Sequence, residues 1–248
     1  MPLTLTPVTP GTLYPGLGQD GGVLTTSGSP TFNSDSTCTI NSTGSDRVRA
    51  PADRISKTQM WLAVRFKTTF ASSDLTMRRW FTFADDTNNE VFGQWGGGSA
   101  IFSCGRDAGG PGTNAEQAAS FASGDILTAI FALTSTQVKV SVNGAAFSVA
   151  SNSGDPTITA TLFDIGQRGY AAQDWINSDV YWVACGTGTL TDADAATIHA
   201  WGNSDPDPGQ LPGTPTMVWP ANSATYWIPA TSLTLTAVTP GSLTLTPA

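Results

Sequence analysis

The chain has 248 residues, of which only 12% are charged, with 26 glycines and 16 prolines. Rich in Ser and Thr and poor in Lys and Glu, it excludes a helical bundle and points to many short strands joined by turns. The net charge of −8 and pI near 4.3 leave no basic patch for a phosphate backbone, and no apolar run is long enough to span a bilayer.

Residues 1–20 read as a Pro/Gly-punctuated arm. Leu3–Leu13 is LTLTPVTPGTL, and its LTLT start alternates with the period of a strand. The Pro-Gly pair that follows suits the centre of a type II turn. The layout of a secretory signal peptide is missing, so the chain is expected to stay in the cytoplasm or to join an assembly before release. A polar, Ser/Thr-rich stretch runs to Gly44, with a short strand expected at Ser36–Ile40. Met60–Phe70 (MWLAVRFKTTF) then alternates clearly, with Trp61, Ala63, Arg65 and Lys67 on one face and Leu62, Val64 and Phe66 on the other. Strands follow at Arg79–Ala84, Glu90–Trp95 and Ser99–Arg106, and a Gly/Pro/Ala-rich loop to Gly124. Ile126–Leu133 reads as a fully buried strand.

Gln137–Val142 alternates, Asn143-Gly144 is the preferred type I′ turn pair, and Ala145–Val149 is expected to return as the second hairpin strand. Leu162–Gln167 and Ser178–Cys185 complete the run of strands. One helix is expected, over LTDADAATIHAWG, with Thr191 as N-cap, Asp192 and Asp194 in the first turn and Gly202 closing its end. Asn203–Ala221, rich in Pro, Gly and Asp, reads as a linker. The same eleven-residue pattern then reappears as LTLTAVTPGSL at Leu233–Leu243, and LTLT starts a third time at Leu243. The expected division is an arm over 1–20, a sandwich over 21–203, a linker and return segment over 204–232, and a repeat arm over 233–248. Cys38, Cys104 and Cys185, odd in number and irregularly spaced, read as reduced, buried residues rather than a disulfide framework or metal site.

Three segments taken together resemble the concanavalin A-like, laminin-G-like jelly rolls: Asp46–Phe70, Asp125–Phe147 with its Asn-Gly hairpin, and Phe163–Gly202 with its late helix. The resemblance implies an all-β, two-sheet antiparallel sandwich with one short C-terminal helix and β-rich terminal arms. The repeated eleven-residue stretch resembles segments of minor tail and other virion proteins of actinobacterial tailed phages. That likeness implies a non-enzymatic virion component, a minor tail, adhesion or decoration protein, whose partners are other virion proteins and copies of itself. The alternative is a lectin-like module that binds a host-surface glycan; a polysaccharide hydrolase ranks third. No nucleic-acid partner and no membrane insertion are expected.

Glycosidases on this fold carry paired strand carboxylates, and hydrolysis needs an acid and a nucleophile or base at set separation. Glu90 and Glu116, the only glutamates, do not form such a motif, and the single histidine, His199, sits in the expected helix. No catalytic residue is assigned. Members of the fold often hold Ca²⁺, which singles out Asp85 and Asp86, with Asn88 and Asn89 nearby, but an Asx-rich turn is the preferred reading. No other cofactor is expected. Sugar sites in such sandwiches stack the ligand on exposed aromatics, which singles out Trp175 with Asp174 and Asn177 in the loop Arg168–Asn177, and also Trp95 and Arg106. For most of the eight Trp a core position remains the plainer reading. The arm residues Leu3, Leu5, Leu233, Leu235, Leu243 and Leu245 are expected either to pair within the chain or to add as strands to neighbouring subunits, and assembly is slightly preferred.

Overall fold

A computed structural model describes residues 23–42, 45–168, 174–203 and 211–226. The strands, in chain order, are β1 (Thr25–Ser27), β2 (Thr31–Phe32), β3 (Cys38–Ile40), β4 (Arg47–Pro51), β5 (Met60–Thr68), β6 (Arg78–Asp86), β7 (Asn89–Trp95), β8 (Ile101–Ala108), β9 (Ala115–Ala118), β10 (Ile126–Leu133), β11 (Gln137–Val142), β12 (Ser148–Ser151), β13 (Leu162–Ile165), β14 (Ser178–Thr187) and β15 (Thr214–Trp219). One α-helix, α1 (Asp192–Ala200), lies between β14 and β15. The strands form the expected antiparallel jelly-roll sandwich. One sheet runs β1-β4-β13-β6-β7-β8-β9, and the other runs β12-β11-β10-β5-β14-β3-β2, with β15 also paired to β14. The terminal arms lie outside the described residues.

The alternation of β5 is realised. Leu62, Val64 and Phe66 enter the core between the sheets, while Trp61 and Ala63 enter a second core on the opposite face. α1 closes that second core with Ala195 and Ile198, over Ile130, Trp182 and Val218. Because β10 is covered on both faces, its sequence ILTAIFAL carries almost no polar residue. The helix starts as expected. The Thr191 side chain accepts from the Asp194 N–H, and the Asp194 carboxylate accepts from the Thr191 N–H and hydroxyl.

Between the sheets the core is aromatic. Phe66 and Trp80 have ring centroids 3.7 Å apart, and Trp95 lies 5.0 Å from Phe102 and 4.8 Å from Phe121. Gly93 makes room for this layer, since a Cβ there would sit 2.5 Å from the Phe131 ring.

Three local expectations differ. Asn143 and Gly144 do take positive φ, 52° and 72°, and the Ala145 N–H donates to the Val142 carbonyl, as the turn requires. The return strand, however, begins only at Ser148, opposite Val140. Ala145 is held by the Ser141 hydroxyl, and the Phe147 N–H is taken by the Asp192 carboxylate at 2.9 Å, which turns Phe147 towards the helix-side core. Second, the loop before Gly124 contains β9, an edge strand with only Ala115 buried, so its pattern is faint. Third, the segment read as a linker supplies β15. Met217 and Trp219 enter the main core and Val218 the helix-side core. The alternation TMVW is four residues long and was hidden by the Pro and Gly around it.

Cys38, Cys104 and Cys185 are free and buried, and burial first pushes each thiol up to about 12. Iodoacetamide at mildly alkaline pH should therefore label none of them rapidly in the native protein and all three after unfolding, as read by mass spectrometry. Trp219→Ala should cost about 3–5 kcal/mol in a urea titration, whereas a residue in a mere tether would cost almost nothing.

Candidate functional site

The outward face of the seven-stranded sheet carries the densest polar chemistry. In β4, Val48 and Ala50 point into the core, so Arg47 and Arg49 point out; in β13, Phe163 and Ile165 point in, and Leu162 and Asp164 point out. Asp164 is paired in register with Arg49 on one side and Thr82 on the other. Its Oδ1 accepts from Arg47 Nε at 2.6 Å and from Arg49 Nε at 2.9 Å. The terminal guanidinium nitrogens of Arg49 make no hydrogen bond among the described residues, and its side chain is 30% exposed.

These groups open onto a pocket of about 370 Å³ lined by Arg49, Asp164, Asp85, Ala84, Ala160, Thr161 and Leu162. Its rim carries donors and acceptors of both signs, and small apolar side chains contribute the rest of the wall. Asp85 fixes one wall. Its Oδ2 accepts from the Thr159 N–H at 2.7 Å and the Thr159 hydroxyl at 2.8 Å, and its Oδ1 from the Ala160 N–H at 2.9 Å. What little burial there is pushes the Asp85 carboxyl up, but these hydrogen bonds, with Lys57 nearby, hold it below the usual range.

Further along the same face lies a buried ion cluster. Glu90 Oε1 accepts from Arg79 Nη2 and Arg168 Nη2, each at 3.1 Å, and Arg168 Nη1 lies 3.7 Å from Asp174 Oδ2. The Arg79 guanidinium also lies over the Phe92 ring, 3.9 Å from its centroid. Burial raises the Glu90 carboxyl, Arg79 and Arg168 oppose that shift, and the neighbouring Asp107 adds to it.

Of the glycan-site candidates, two are corrected outright. Trp95 is wholly buried in the aromatic core, with its indole N–H donated to the Asp74 carbonyl at 2.9 Å. Arg106, also buried, crosses the end of the sandwich and bonds the carbonyls of Thr134, Ser135 and Asn152. An Arg at this place satisfies several turn carbonyls at once, which sequence alternation cannot reveal. Trp175 is half-buried, and its indole N–H goes to the Asp46 carbonyl at 3.0 Å. Asp174 and Asn177 both have positive φ. The Asp174 carbonyl accepts the Arg79 N–H at 2.7 Å, and Asn177 Oδ1 accepts the Ser42 N–H at 2.8 Å. These three residues brace the loop, whose residues 169–173 lie outside the described set.

Of the metal candidates, Asp86 is a turn former and Asp85 is not. Asp86 Oδ1 accepts the N–H groups of Asn88 and Asn89 at 2.7 and 2.9 Å. Asp85 is committed to Thr159 and Ala160, and no cluster of three or more His, Cys, Asp or Glu suited to a metal occurs among the described residues. Glu116 is exposed on the edge strand β9, and His199 Nδ1 lies 3.1 Å from the Thr128 hydroxyl beneath α1. Sequence reasoning missed Arg47, Arg49, Leu162 and Asp164. The available signal was charge at alternate strand positions, in RVRAP and LFDI.

No family model matches the chain, and no curated protein matches it in sequence. Among solved structures it is similar to domain 4 of AbnA, a GH43 extracellular arabinanase from Geobacillus stearothermophilus, in complex with arabinotriose. The identity is 17%, over 72% of this chain and 82% of that one, with a TM-score of 0.51. It is also similar to tailspike protein 2 of an Escherichia coli O157:H7 bacteriophage, at 13% identity and a TM-score of 0.59, covering 82% of this chain but 30% of that one. The enzymatically active domain of that tailspike gives 13% identity and a TM-score of 0.55, over 84% of this chain and 33% of that one. At such identities the likeness establishes the fold alone.

Because Asp85 is held below its ordinary value, its contribution to stability is full above the ordinary carboxylate range and is lost as pH falls through the folded value. Asp85→Asn should therefore lower Tm at neutral pH and leave it nearly unchanged in strong acid, flattening the acid limb of a Tm-against-pH profile.

Proposed function

We propose that this chain is a non-catalytic, lectin-like sandwich displayed on a tailed-phage particle, and that it binds a saccharide in the Arg49–Asp164 pocket. The observation that carries this reading is the pocket itself. A carboxylate fixed by two guanidinium groups, a guanidinium with open donors and a second fixed carboxylate converge around small apolar walls. Vicinal hydroxyls of a sugar ask for this pairing of fixed donor and acceptor, and its C–H face asks for the apolar wall. The location on a particle is supported by the resemblance of the two eleven-residue terminal repeats to segments of virion proteins.

The non-catalytic part has physical support. Glycoside hydrolysis needs a protonated acid that can reach the glycosidic oxygen. Asp85, in the pocket, is held ionised. Glu90, whose carboxyl is raised, is 1% exposed and clasped by Arg79 and Arg168.

The test is isothermal titration of the purified protein with polysaccharide from the surface of an actinobacterial host, beside Arg49→Ala and Asp164→Asn. Each substitution should weaken binding by at least tenfold with the cooperative melt retained, and the polysaccharide should gain no reducing ends. Binding that ignores both substitutions would move the site elsewhere, and new reducing ends would make the protein an enzyme.

A further inference from the structure

The walls of the Arg49–Asp164 pocket are sorted into two rows. On the outward face of the seven-stranded sheet, Arg49, Asp164 and Thr82 lie in register across β4, β13 and β6. Two residues further along the strands, Pro51 and Leu162 are paired in the same way, and Ala84 continues their row on β6. The first row is polar and the second aliphatic, and two residues of strand set them about 6.6 Å apart.

The polar row offers a matched pair of open atoms. The 2.9 Å bond from Arg49 Nε to Asp164 Oδ1 holds the two groups side by side. Arg47 Nε also uses Oδ1, so among the described residues Oδ2 accepts no hydrogen bond, and the terminal nitrogens of Arg49 donate none. The aliphatic row holds an unexplained side chain. Leu162 is half-buried, yet it enters neither the main core nor the helix-side core. Its place is fixed from both sides. The Ala52 N–H donates to the Thr161 carbonyl at 2.9 Å, and the Asp85 carboxylate holds Thr159 and Ala160. With Ala84 and Ala160, Leu162 forms a narrow wall that contains no aromatic ring.

We propose that the sugar taken by this pocket is a 6-deoxyhexose, with two vicinal hydroxyls on the Arg49–Asp164 pair and its C5 methyl on Leu162, Ala84 and Ala160. The assignment rests on the saccharide reading of the pocket and narrows it. Neighbouring hydroxyls of a pyranose stand close enough for one to accept from Arg49 while the other donates to Asp164 Oδ2. The methyl lies across the ring from the C2 and C3 hydroxyls, a span comparable to the spacing of the two rows. No aromatic ring is present to cover a whole sugar face, and three aliphatic side chains bury a methyl instead. In a 6-hydroxy sugar the extra oxygen would be pressed against the same wall, losing its water and finding no partner. An acetamido methyl fits less well. The carbonyl and N–H of a trans amide point to opposite sides, so they cannot both meet two groups that lie side by side.

The test is isothermal titration of the full chain with methyl glycosides of L-rhamnose, L-fucose and D-fucose, each beside its 6-hydroxy counterpart, L-mannose, L-galactose or D-galactose, and with N-acetylglucosamine. At least one deoxy sugar should bind about tenfold or more tightly than its counterpart, the size expected for one methyl against an apolar wall. Leu162→Thr, a strand-favouring change, and independently Ala84→Ser should each erase that preference with the cooperative melt retained. Arg49→Ala should weaken both members of the pair alike. Equal binding within every pair, tighter binding of N-acetylglucosamine, a preference that survives both wall substitutions, or binding of the host polysaccharide but of none of these sugars would each overturn the proposal and leave the saccharide reading standing. If neither these sugars nor the host polysaccharide bind, the saccharide reading falls with it.

Discussion

The centre of the eight-stranded sheet has to be dry on both faces, and most of the architecture follows from that. β5, β10 and β14 put one set of side chains into the space between the sheets and the other under α1. A strand in that position cannot spare alternate residues for solvent, which is why Trp61, Ile130 and Trp182 occupy what would otherwise be the outer face. The indole nitrogens still need partners. Trp61 Nε1 donates to the Thr187 carbonyl at 3.2 Å and Trp182 Nε1 to the Gly202 carbonyl at 3.0 Å, so the helix-side core is pinned by hydrogen bonds at both its ends. A bulge between Val180 and Trp182 adjusts β14 to this duty, since Val180 and Val183 both face the main core while Trp182 faces the helix.

Covering one outer face leaves the other to interact. Among the described residues no helix covers the seven-stranded sheet, and its outward residues include Arg47, Arg49, Asp164, Arg79, Glu90 and Asp85. The charges are of both signs and largely paired, so the face is polar without being strongly of one sign. A face of this kind fits the proposed uncharged, hydroxyl-rich ligand better than a polyanion. The two halves of the face differ in access. The Glu90 cluster is sealed and serves to hold the loop after β13 against the sheet. The Arg49–Asp164 end forms the pocket, and the loop residues Thr159 and Ala160 on its far side are hydrogen-bonded to the Asp85 carboxylate.

Much of the fold could be read from the residues because the strong signals are local. The alternation in Met60–Thr68, the apolar run Ile126–Leu133, the Asn-Gly turn and the capping pair Thr191–Asp194 each reflect a constraint acting over a few neighbours. The failures share a cause of the opposite kind. β15 is a strand because Met217 and Trp219 find space beside β14, and the second arm of the hairpin is delayed because Asp192, far along the chain, takes the Phe147 N–H. The candidate site was legible only in part for the same reason. Trp95 and Arg106 fall in polar, glycine-rich surroundings in sequence, but one fills an aromatic core and the other ties the sandwich's end. Arg49, Asp85 and Asp164 come from three separate strands, and only the register of β4, β13 and β6 brings them to one pocket.

The corner at which Val23 meets Thr225 also decides how the domain answers a mechanical load. Chain ends on opposite poles of a sandwich put its whole core in series with any pull, and the strands must shear past one another to yield. Here Val23 and Thr225 form an antiparallel bridge and the Leu24 N–H donates to the Ala224 carbonyl, so tension applied between those two points falls on this rung and its neighbours, one at a time, in a peeling geometry. The sandwich hangs to the side of the load path. The yielding part is small and close to the surface, able to open and re-form while the pocket-bearing sheet keeps its shape.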